Sequence, residues 1–182
     1  MIPAGYLAKR VNGRPDWLKA ACVADVYSVS DCISKDFADY INYWKHNGWW
    51  FFDSPEVIQT IAEENEIDLT GTTLFFYEVH ELEFDDAVDE WRAIIPEPSF
   101  TTQISVPVDK TMEGYDVVTF SCATTPECSP LSCNSVAMEL ETNQHCLFAS
   151  FERAKQSIEA GKFQNTEPGP FRIFAVFSTK WP

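Results

Sequence analysis

The stretch Asn47-Gly48-Trp49-Trp50-Phe51-Phe52-Asp53-Ser54-Pro55-Glu56-Val57-Ile58 returns in altered form as Asn143-Gln144-His145-Cys146-Leu147-Phe148-Ala149-Ser150-Phe151-Glu152-Arg153-Ala154. In both, an Asn opens a short apolar run ending in Phe, a Ser follows two residues later, and a Glu sits two beyond the Ser at the head of an amphipathic segment. The Asn and the Ser recur at the same interval. A chain that uses one supersecondary unit twice tends to pack the copies about a pseudo-two-fold axis, because each copy has the same apolar face to bury. Further echoes keep the same order: Ile2-Pro3 with Ile95-Pro96, Ala24 to Ser30 with Gly114 to Ser121, Cys32 with Cys128, and Leu74 to Glu81 with the terminal Phe171 to Ser178. The loop Cys122 to Glu127 is extra in the second copy. The expected architecture is α+β, with two similar β-β-α-β-α-β halves, 1–90 and 91–182, from an internal duplication and packed as one compact pseudo-two-fold unit.

Local patterns supply the elements. Strands are expected at Tyr6 to Val11, Val23 to Val29, Trp49 to Asp53 and Thr73 to Phe84, from their β-branched and aromatic content. Phe37, Tyr40, Ile41 and Trp44 form one apolar stripe, predicting a helix over Asp36 to His46. Ser54 is a good N-cap, Pro55 suits the first helical position and Glu56 complements the dipole, so a helix runs to about Glu64. Asp85 to Arg92 reads as an acidic connector. The second half repeats the scheme with strands at Thr101 to Val106, Gly114 to Ser121, His145 to Ala149 and Phe171 to Ser178. Its helices are expected around Ser132 to Leu140 and over Phe151 to Ala160, the latter ended by Gly161.

Composition limits the function classes. With 45% hydrophobic residues, including Phe 14, Trp 6 and Tyr 6, 182 residues can bury a substantial core without staples. The formal net charge of -15 repels nucleic-acid phosphates and anionic lipid, which argues against both as partners; it serves solubility first, with attraction of a basic protein or mimicry of nucleic acid as the alternatives. The start lacks a charged and then apolar leader, and no apolar run approaches a bilayer span. A soluble cytoplasmic protein is expected, with its six Cys as reduced thiols. The oligomeric state is not legible.

Three constellations bear chemistry. Cys122, Cys128, Cys133 and Cys146 crowd one region with His145, but without the close Cys pairs of a structural zinc site, so neither a metal nor a cofactor is expected. Cys133, in a turn that enters a helix, is the candidate nucleophile, with Cys128 beside it and His145, His46 or His80 as base; small buried thiols are the structural alternative. Glu78 and His80, two apart on one strand, share a face fit for acid–base work or for holding a metal if it lines a cleft, or for solvent if it does not. No phosphate-binding Gly loop, Gly-x-Ser-x-Gly elbow or His-Glu-x-x-His is present. The favoured expectation is therefore a non-enzymatic interaction module that uses Trp49, Trp50, Glu78, His80, Asp85 and Asp86, with Asp89 and Glu90 extending the acidic surface. A thiol-dependent enzyme or redox-sensitive protein centred on Cys133 is the alternative.

Overall fold

A computed structural model describes residues 1–30, 47, 49, 51–94, 103–120 and 127–182. It is mixed α+β, mostly sheet with few helices. In chain order the described strands are β1 (Ile2–Lys9), β2 (Asn12–Gly13), β3 (Asp25–Val26), β4 (Thr73–Asp85), β5 (Glu90–Ala93), β6 (Lys110–Thr119) and β7 (Phe171–Thr179), and the helices are α1 (Pro55–Glu64), α2 (Pro130–Cys133) and α3 (Phe151–Glu159). The main sheet runs β1-β4-β7-β6 with every neighbour antiparallel, and β5 folds back on the far end of β4. β4 and β7, the two aromatic-rich strands, occupy its middle, where both faces are covered. None of the helices among the described residues is long and apolar enough to cross a membrane.

Register assigns the faces. Leu7, Phe75, Tyr77, Phe174, Val176 and Asp116 fall on one side, because Leu7 pairs with Phe75, Tyr77 with Val176, and Asp116 with Phe174. Phe51 lies over this side, its ring stacked on Tyr77 at 5.1 Å and edge-on to Phe174 at 5.7 Å. The opposite side of β6 and β7 receives α3, whose buried Ala154 and Ile158 join Val117, Ile173 and Phe171 in one apolar cluster. α1 buries Ile58, Ile61 and Ala62, while Val57, which the sequence also places on its apolar stripe, is only partly buried.

Two Asn side chains pin chain segments against the outer strands. Asn47 Nδ2 donates to Ala4 O (2.8 Å), while its Oδ1 accepts from the N–H groups of Trp49 (2.9 Å) and Phe51 (3.2 Å). Asn143 Nδ2 donates to Glu113 O (2.7 Å), and its Oδ1 accepts from His145 (2.9 Å) and Leu147 (3.1 Å). Beside each lies a bulge glycine. Gly5 has φ 128 and Gly114 φ 149, and an added Cβ would come within 2.5 Å of Phe52 O in the first case and 2.8 Å of Phe148 O in the second. Only glycine permits both the backbone angle and the approach. Tyr6 then exchanges two backbone bonds with Phe52, and Tyr115 with Phe148.

Several expectations are revised. Trp49 to Asp53 and His145 to Ala149 are not ladder strands; each contributes a single bridge, Tyr6 to Phe52 and Tyr115 to Phe148, because the Asn side chains take up neighbouring N–H groups. The β-β-α-β-α-β order is therefore not reproduced as written. Of Val23 to Val29 only Asp25–Val26 pairs as a strand, since Tyr27 N donates to His145 O and Val29 N to Asp116. The helix expected at Ser132 to Leu140 starts earlier, at Pro130, and breaks at Ser135, whose φ of 62 separates α2 from a 3-10 turn, Val136–Met138. The first strand runs Ile2–Lys9 rather than Tyr6 to Val11, and the acidic connector is a hairpin turn whose far arm, Glu90–Ala93, joins the sheet. Residues 103–106 form no strand. The Asp36 to His46 helix, Trp50, Cys32, Cys122 and residues 95–102 lie outside the described residues.

Candidate functional site

The β4–β5 hairpin builds an acidic corner on a charged and aromatic base. Glu83, buried near the end of β4, accepts from Arg172 of β7 (2.8 Å) and Arg92 of β5 (2.9 Å), and Arg172 lies over the Phe120 ring at 4.0 Å. Arg92 also reaches Asp85 at 2.6 Å, so that carboxylate is neutralised by its own hairpin. Asp85 shapes the turn as well, accepting from Ala87 N at 3.0 Å. Asp89 takes φ 59, which an Asp tolerates better than most side chains. Asp86 accepts from Gly169 N on one oxygen, Oδ2, at 3.1 Å.

Between this turn and the connection from α3 to β7 opens a pocket of about 130 Å³. Its buried members are apolar, Phe84, Ile158, Phe163 and Phe171, while its exposed members are Asp86, Asp89 and Gln164. Trp91 borders the region. Its ring meets Phe84 edge-on at 5.3 Å, its Nε1 donates to Glu159 at 2.9 Å, and Lys155 stands 5.7 Å from its centroid.

A second polar group is buried. Asp116 on β6 is 1% exposed; its Oδ2 accepts from Ser129 Oγ (2.6 Å) and Val29 N (2.8 Å), and Ser129 Oγ in turn accepts from Ser30 N (3.1 Å). Lys9, at the opposite edge of the sheet, donates to the carbonyls of Ser28, Val29 and Ser30. The 28–30 segment is thus strapped across one sheet face from both ends. Burial pushes the Asp116 carboxyl up to about 6, against the hydrogen bonds and the Lys9 charge that lower it. Burial, reinforced by Asp116, also drives the Tyr77 hydroxyl well above its usual range. Asp116 Oδ1, Tyr77 Oη and Ser30 Oγ are buried without a hydrogen-bond partner among the described residues. Ser129 and Asp116 are both enclosed, and this group ties the 28–30 segment to β6.

The residues named from sequence scatter. Glu78 pairs with Lys110 of β6 at 2.5 Å. His80 instead meets Phe151 (4.6 Å) and Trp91 (6.0 Å), and burial, aided by the N-terminal charge, lowers its pKa. The two do not converge on one acid–base site. Trp49 packs into the core at 9% exposed and offers little of its ring to a partner. Of the acidic pair, Asp85 is held by Arg92 and Asp86 reaches the pocket.

Cys133 ends α2 instead of starting it, and its Sγ is bonded to that of Cys128. The expectation of reduced thiols fails for this pair, and with it the Cys133 nucleophile in this oxidation state. A carboxylate oxygen of Glu167 lies within 4.8 Å of both sulfurs, but a joined pair supplies no thiolate donor. His145 is committed elsewhere: Nδ1 lies 2.6 Å from Asp25 Oδ1, Nε2 is 3.7 Å from Glu113, and Tyr27 stacks on the ring at 4.1 Å. Cys146 is buried, its thiol pushed up to about 12 by burial first and by Asp116 second.

Sequence reasoning missed Phe163, Gln164 and Phe171 as pocket members, and Asp116 as a buried acid. The second was visible as a lone carboxylate before the apolar Val117-Val118. The first was not, because it depends on the loop after α3 meeting a turn far away in the chain. No protein-family model, curated protein or solved structure matches the chain.

Proposed function

We propose that this chain is a non-enzymatic interaction module that binds a basic protein through the acidic corner at the β4–β5 hairpin. The observation that carries this reading is the pocket beside the turn: Asp86 and Asp89 stand over an aromatic floor, next to an exposed Val88, on a protein of net charge -15. Apolar side chains beside charge suit a specific interface, since the field steers the partner and the apolar contacts hold it. Among the described residues this corner is one place where anionic oxygens and apolar side chains meet at the surface. The test is binding of a fluorescent peptide of alternating lysine and glycine at about 0.15 M salt, where the Debye length of about 8 Å suppresses diffuse attraction. Saturable binding is expected. Binding no tighter than that of a matching glutamate and glycine peptide would sink the reading.

The internal duplication belongs to the same proposal. It is supported by the matched bonding of Asn47 and Asn143, the matched bulges at Gly5 and Gly114, and the sheet order β1-β4-β7-β6, in which β1 flanks β4 as β6 flanks β7. On that reading residues 1–90 and 91–182 are related copies about an axis between β4 and β7, and the acidic hairpin spans the junction between them.

A redox-sensitive role is a second reading, favoured by the Cys128–Cys133 bond. The bond closes a loop around Ser129, which anchors the 28–30 strap through Ser30 and Asp116. Reduction is expected to speed amide exchange of Val29 and Ser30; unchanged exchange after verified reduction would end this reading.

A further inference from the structure

We propose that the pocket at the acidic corner takes the side chain of a lysine, its methylene stem on Phe84, Phe163 and Phe171 and its ammonium between Asp86, Asp89 and Gln164. This deepens the proposed function and rests on it. Size selects the class of occupant. A volume of about 130 Å³ is below the roughly 300–1,000 Å³ of pockets that enclose a whole small molecule, and is close to the about 150 Å³ cavity that holds benzene, so it fits one side chain.

Chemistry selects among side chains. The buried lining is apolar and the exposed lining is anionic, the order met by a chain that is apolar along its stem and cationic at its tip. Aromatic faces add attraction for a cation. A bare divalent ion is a poor match, since calcium wants six to eight oxygens and magnesium a near-ideal octahedron, and the side chains lining the pocket offer oxygens from Asp86, Asp89 and Gln164 alone. Lysine is preferred over arginine for a geometric reason. Asp86 already uses one oxygen on Gly169 N, so the corner offers single oxygens from separate side chains rather than the paired oxygens that match a guanidinium fork. An ammonium has three donors and accepts such a set. Gly169 keeps Asp86 in place, because a Cβ there would come within 2.6 Å of Asp86 Oδ1.

The experiment compares the full-length wild type with two charge-matched variants, using fluorescence anisotropy with the lysine and glycine peptide. One is Asp86→Asn with Asp89→Asn, in the pocket; the other is Glu63→Gln with Glu64→Gln, on the exposed side of α1. Asn tolerates the positive φ at position 89, so the pocket variant keeps the turn. The pocket variant is expected to bind about tenfold more weakly, and the α1 variant within about twofold of wild type. A peptide with norleucine in place of lysine is expected not to bind. Equal losses in the two variants would overturn the pocket assignment while leaving the acidic-surface reading in place, and absence of wild-type binding would overturn both. Tighter, pocket-dependent binding of an arginine and glycine peptide would overturn the choice of lysine.

Discussion

Asp116 and Asp86 are both carboxylates at the sheet, but one is enclosed by the chain and the other faces out. Asp116 gives one oxygen to Ser129 and Val29, and burial raises its pKa to about 6. Asp86 gives one oxygen to Gly169 N and presents itself at an open pocket. The difference teaches how to sort the many acidic residues of this protein. A carboxylate whose oxygens are engaged inside sets stability and its pH dependence; one left at the surface over apolar area contributes little to stability and is available to a partner. The Asn47 and Asn143 side chains belong with Asp116, since their hydrogen bonds end on the chain itself.

The sharpest way to break this division is to remove an enclosed group. Asn47→Ala leaves Ala4 O and the N–H groups of Trp49 and Phe51 without their partner in a fully buried setting, at an expected cost on the order of 4 kcal/mol in denaturant unfolding. Asn143→Ala breaks the equivalent bonds at a half-exposed position that water can repair, and about half that cost is expected. Equal costs would show that enclosure is not what matters.

Asp116 supplies the pH test. Its folded-state pKa of about 6 lies above the ordinary 3.8, so the fold holds the proton more tightly than the unfolded chain does. The resulting stabilisation is complete below about pH 4 and is lost as the pH rises through about 6, in total about 3 kcal/mol. In Asp116→Asn that slope is expected to vanish between about pH 4 and 7, read from urea midpoints across the range. The smallest effect on stability is expected for Asp86→Asn with Asp89→Asn, within about 0.5 kcal/mol of wild type at neutral pH. A loss of several times that would place these two carboxylates with the enclosed group.

How much of this the sequence carried varies with the range of the interaction. Helix α1 was legible in its start and approximate length, because Ser54, Pro55 and the apolar spacing of Ile58 and Ile61 are local signals. β4 and β7 were legible to within one residue at their ends from their aromatic runs. The runs after Asn47 and Asn143 look like strands by composition, yet the Asn side chains divert their N–H groups, which no propensity records. Cys133 looked like the head of a helix; Pro130 begins the helix earlier and places the thiol at its end, against Cys128. The acidic character of Asp86 and Asp89 was plain, but the floor beneath them needed Phe163 and Phe171 brought from the other half of the chain.

The most direct measurement is an amide chemical-shift titration of the isotope-labelled wild type with the lysine and glycine peptide at about 0.15 M salt. The account predicts saturable shifts concentrated at Asp86, Asp89, Gly161, Gln164 and Gly169, with α1 unmoved. Shifts spread evenly over the acidic surface, Glu63 and Glu64 included, would contradict it.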